Sequence, residues 1–164
     1  MTAVVRTWLG FLALGAGLIH LALVIGSPLA AAIPLLLIGI AEFGWGVVTF
    51  ASTRIPLPRV ARIGVLVPIL GWVTLLVVGG AAIGVRILPM LVASLLDVAI
   101  AVAITIVLRR TPREGAPLAA GRYLLAVGVG ALIVAALTTP ALAATEAGEF
   151  AVPHGTFPDG HSGH

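Results

Sequence analysis

The chain contains no cysteine and no lysine. The first absence excludes disulfides, a thiolate metal site and a cysteine nucleophile. The second makes arginine the only permanent side-chain cation. Charge of either sign is scarce: 9% of the 164 residues are Asp, Glu, Lys or Arg, against about 25% in a typical soluble domain. Nine basic and six acidic side chains cannot clothe a water-soluble fold of this length. An ordinary globular enzyme, a nucleic-acid-binding domain and a disordered polar chain are therefore excluded. What is present is aliphatic, with 60% hydrophobic residues and a mean hydropathy of +1.21. The sequence reads as an integral membrane protein whose first partner is the lipid bilayer. Its wealth of Ala, Val and Gly, with Arg as the sole strong base, suggests a bacterium of high-GC genome.

A helix needs about 20 apolar residues to cross roughly 30 Å of hydrocarbon. Five such stretches are visible, at residues 8–29, 34–51, 63–85, 89–108 and 123–143. The expected fold is all-α, a bundle of five transmembrane helices. Ser27-Pro28 and Arg86 to Pro89 mark tight turns, and Pro68 is expected to kink the third helix. The first stretch is too long for the apolar core of a cleaved signal peptide and is read as a retained helix. Residues 1–143 form the membrane domain, and 144–164 a flexible, polar tail.

Orientation follows from arginine. Five crossings put Arg6, Arg54, Arg59, Arg62, Arg109, Arg110, Arg113 and Arg122 on one side and only Arg86 on the other. By the positive-inside rule the N-terminus is cytoplasmic and the tail lies outside a bacterial cytoplasmic membrane.

A shift of 55 residues superposes Pro34 on Pro89, Glu42 on Asp97 and Arg54 on Arg109 without a gap. It carries helices 1–2 onto helices 3–4 in the same sense. The expectation is a duplicated hairpin with a fifth helix added.

Three ionisable residues fall inside spans: His20, Glu42 and Asp97. Each is costly at membrane depth unless paired, so each demands a reason. At about 1.5 Å per residue, Glu42 and Asp97 lie roughly 12 Å below the outer surface and His20 roughly 9 Å. All three share one layer. His20 and Glu42, on helices joined by a tight turn, are the expected pair, with Asp97 joining if the hairpins pack face to face. The layer reads as a structural pair, a proton-handling site or a site for Zn²⁺ or a similar divalent ion. Copper(I) is a poor fit, with methionine only at Met1 and Met90. Trp45, three residues after Glu42, shares its helix face; such a Trp is more often a packing residue, but here its indole N–H is also placed to donate to the carboxylate. Gly15, Gly17, Gly39, Gly44, Gly46, Gly128 and Gly130 read as sites of close helix approach.

The tail carries His154, Asp159, His161 and His164 among Gly and Pro. Imidazoles on a flexible chain can wrap a divalent metal, Cu(II) ahead of Zn²⁺, but the spacing matches no closed zinc motif and reads first as a solvated tail with incidental histidines. Ala141-Leu142-Ala143 has the small residues of a signal-peptidase site but reads first as a helix end.

The stretches Ala16-Gly17-Leu18-Ile19-His20-Leu21 and Gly39-Ile40-Ala41-Glu42-Phe43-Gly44-Trp45, with the run from Ala143 to His154, resemble a group of small polytopic membrane proteins of Actinobacteria that has no established activity. The resemblance implies membrane location and draws interest to His20; it implies no substrate, cofactor or catalytic residue. The expected function is non-enzymatic: divalent-metal handling, or an accessory role in a larger membrane complex. The alternative is a small proton-coupled transporter, homo-oligomeric because five short helices enclose little pathway. No catalytic signature and no nucleic-acid partner is expected.

Overall fold

The computed structural model describes residues 3–79, 86–109 and 119–150. Every regular element among them is a helix: α1 (Ala3–Leu23), α2 (Leu29–Ala51), α3 (Pro58–Gly64), α4 (Val67–Gly79), α5 (Ile87–Arg109), α6 (Ala120–Ala143) and α7 (Glu146–Glu149). In hydrocarbon the backbone must satisfy its own hydrogen bonds within a segment, and the helix does so. Among the described residues, four helices, α1, α2, α5 and α6, are long and apolar enough to cross a membrane.

Helix α1 is the centre of the bundle and packs against α2, α5, α6 and α7. Its contact with α2 is a glycine seam. A Cβ on Gly17 would stand 2.7 Å from the backbone N of Phe43 and 2.9 Å from the carbonyl O of Gly39. Two turns away, a Cβ on Gly46 would meet the Gly10 carbonyl at 3.1 Å. The seven-residue spacing of Gly10 to Gly17 matches that of Gly39 to Gly46, so the small residues stay on the facing stripes. On the α6 side, Gly15 faces the Thr138 hydroxyl and Gly130 makes room for the Trp8 indole. That indole donates to the Ala126 carbonyl at 2.9 Å. Gly44 and Gly128 depart from the expected packing role: a Cβ on either would meet nothing within 4 Å.

The α1–α2 turn contains Gly26 at φ +78°. The Glu146 side chain occupies the space a Cβ there would need, so conformation and room both call for glycine.

The two ends of the bundle are tied differently. At one, Arg6 donates to the Thr53 carbonyl at 3.0 Å. At the other, Arg86 donates to the Ala144 carbonyl at 3.1 Å and pairs with Glu149 at 2.6 Å. Helix α2 thus finishes at the end opposite to that where α5 begins. Between them, Val65 packs with Leu9, Ala13, Ile100 and Ile104, while Trp72 packs with Leu23 and Met90.

This stretch was expected as one kinked helix over 63–85. Instead α3 stops at Gly64, Val65 and Leu66 form a turn, and α4 starts at Val67. Pro68 lacks an N–H and its ring would clash with the Gly64 carbonyl, so the helix restarts with Pro68 in its first turn. Pro68 starts a helix where it was expected to kink one, and the end of the stretch, 80–85, lies outside the described residues.

The polar segment after Ala143 does not leave the bundle at once. The Thr145 hydroxyl donates to the Leu142 carbonyl at 2.6 Å and accepts from the Gly148 N–H at 3.2 Å, capping α7. Thr145 and Ala141 are fully buried. The Arg86–Glu149 pair is solvent-facing, with 36% and 60% of the side chains exposed. Glu149→Gln should therefore cost less than about 1 kcal/mol, read as a small shift in thermal unfolding in lipid nanodiscs.

Candidate functional site

Glu42 lies on the face of α2 that meets α1, one turn from Gly39 in the seam, and His20 lies one turn from Gly17. The close approach that the glycines permit brings the two side chains together: His20 Nδ1 stands 2.7 Å from Glu42 Oε2. Asp97 comes in from α5. One donor atom each from His20, Glu42 and Asp97 lies within 4.8 Å of the others. The three residues are 1%, 8% and 0% exposed, so they face the bundle and not lipid.

Glu42 Oε1 and both Asp97 carboxylate oxygens have no hydrogen-bond partner among the described residues. A buried polar atom without a partner is costly, and a carboxylate more so. The surroundings offer little relief. Ile19, Leu23, Met90, Ala93, Leu96 and Trp72 form an apolar cluster toward the Arg86 end of the bundle. Leu9, Ala13, Val65, Ile100 and Ile104 form another toward the Arg6 end. On α5 the boundary between the two falls at Asp97.

Trp45 does not serve this layer. Its indole donates to the Pro56 carbonyl at 2.8 Å, not to Glu42. One turn beyond Glu42, it sits where α2 nears its end, and the loop to α3 presents a carbonyl within reach. His154, Asp159, His161 and His164 lie outside the described residues. Gly10 was not singled out from the sequence, although its seven-residue spacing to Gly17 was the available signal.

Chemically, one imidazole and two carboxylates in an apolar interior can share protons or hold a cation. No protein-family model, curated protein or solved structure matches this chain. The functional reading therefore rests on the geometry of the three side chains.

Proposed function

We propose that this is a multi-pass membrane protein that handles a divalent metal ion at His20, Glu42 and Asp97. The observation that carries the reading is the set of three buried carboxylate oxygens with no hydrogen-bond donor among the described residues, beside an imidazole. Two carboxylates hold two negative charges, and a divalent ion restores neutrality where a monovalent ion leaves a net charge in a medium that penalises it. Protein purified from native membranes without chelators should carry about one divalent ion per chain, measured by plasma mass spectrometry. Glu42→Gln should carry none at this site. An ion-free wild-type chain under those conditions would refute the reading.

The short His20–Glu42 contact favours a second reading, a small proton-coupled transporter, because a proton held between imidazole and carboxylate is the element a relay needs. Uptake into sealed vesicles driven by a pH gradient would select it.

The proposed topology has five crossings, a cytoplasmic N-terminus and a cytoplasmic membrane location. Its support is that α2 finishes at one end of the bundle and α5 starts at the other, so the chain between them traverses its length. A duplicated hairpin agrees with this, since the 55-residue shift carries α1 onto the residues of α3 and α4. The absence of cysteine makes the test clean. A single cysteine at Ser27 should react with an impermeant maleimide in whole cells, and one at Thr53 only after lysis. The reverse pattern would invert the topology.

A further inference from the structure

We propose that the His20–Glu42–Asp97 triad is an open, sulfur-free site for a first-row transition-metal ion of the Zn²⁺, Mn²⁺ or Fe²⁺ class, and that it discriminates against Ca²⁺, Mg²⁺ and Cu⁺. This rests on the metal-handling reading above and names its substrate class. Donor chemistry is the first argument. An imidazole nitrogen suits zinc and iron, whereas calcium takes about 6–8 oxygens and magnesium keeps a nearly octahedral shell with several waters. Two carboxylates supply four oxygens at most, and the chain neighbours of His20 and Asp97, Ile19 and Leu96, add no side-chain oxygen.

Copper(I) wants sulfur. The nearest candidate on α5, Met90, is seven residues from Asp97, about 10 Å along the axis and outside coordination reach.

Distance is the second argument. Metal–donor bonds of about 2.0–2.1 Å place neighbouring donors roughly 3.4 Å apart in a tetrahedral site. The donors here already lie within 4.8 Å of one another, so side-chain adjustment alone can close the site, with no movement of the helices.

Count is the third. Structural zinc sites close with four protein ligands, whereas three leave a position open for exchange. The triad has three, which fits a cargo or exchangeable ion.

The test uses the full chain in lipid nanodiscs, carrying His154→Ala, His161→Ala and His164→Ala so that tail imidazoles do not contribute. Titration calorimetry with Zn²⁺, Mn²⁺, Ca²⁺ and Mg²⁺ should give one site per chain, with Zn²⁺ at least about 100-fold tighter than Ca²⁺ or Mg²⁺. Asp97→Asn should weaken Zn²⁺ by a similar factor. Pulsed electron paramagnetic resonance of bound Mn²⁺ should show a coupled ¹⁴N nucleus from His20, a readout that needs no change in the triad and so survives a variant that fails to fold. Equal affinity for Ca²⁺ or Mg²⁺, or Mn²⁺ without nitrogen coupling, would overturn the assigned class while leaving a cation site in place. Binding of no divalent ion would overturn both the class and the metal-handling reading.

Discussion

Gly17→Val should be among the most damaging single substitutions in this chain. The atoms a new Cβ meets, Phe43 N, Gly39 O and Phe43 Cα, are all backbone, so no rotamer change relieves the clash. Helices α1 and α2 would have to part along the whole seam. Overpacking costs about 1–3 kcal/mol, occasionally more. The upper part of that range is expected, because helix association in lipid depends on close packing without a hydrophobic drive. The damage should reach the polar layer, since His20 and Glu42 each sit one turn from a seam glycine. Gly44→Val is the matched control. Nothing lies within 4 Å of its Cβ, and its effect should stay within about 0.5 kcal/mol. Unfolding titrations in mixed micelles compare the two, and equal stability would refute the seam.

Asp97→Asn should raise the stability of the ion-free protein while removing most of its response to metal. The substitution keeps the shape and removes an ionisable group from a fully buried side chain that lies beside Glu42. Replacing one of two carboxyl groups crowded into a dry layer should stabilise by on the order of 1 kcal/mol or more. In the wild type, an ion at 100 times its dissociation constant adds about 2.7 kcal/mol. The order of the two proteins should therefore invert: the variant unfolds later without metal and earlier with it. Thermal unfolding with and without Zn²⁺ measures both. A variant less stable than wild type in chelator would mean that the carboxylate has a structural partner.

The unequal legibility of this chain has a physical cause. His20, Glu42 and Asp97 stand out because ionisable residues are rare in hydrocarbon, and counting residues along a helix sets their heights. Trp45 shares a helix face with Glu42 but finds its partner in a loop carbonyl at Pro56, and sequence spacing along a helix says nothing of loops. Gly44 could not be told from Gly39 because lipid and protein core are both apolar. The periodicity that marks a buried face in a soluble helix is nearly absent here, and what distinguishes the two glycines is a neighbouring helix. The break between α3 and α4 was half legible: Pro68 announced a disturbance, but a kink and a restart share the same proline.

The apolar clusters flanking Asp97 also bear on time. A metal ion held by the triad would be sealed by Ile19, Leu96 and Met90 on one side and by Ile100 and Ile104 on the other, all but Met90 at 1% exposure or less. A bare ion cannot cross such a layer, because nothing there replaces its ligands. It can leave only when the helices separate far enough for water to follow, a collective motion on the microsecond-to-millisecond scale or slower. Dissociation would then run at the pace of the protein and not of the coordination bonds. Ions of quite different affinity would depart at similar rates, and the differences among them would lie in how readily each is captured.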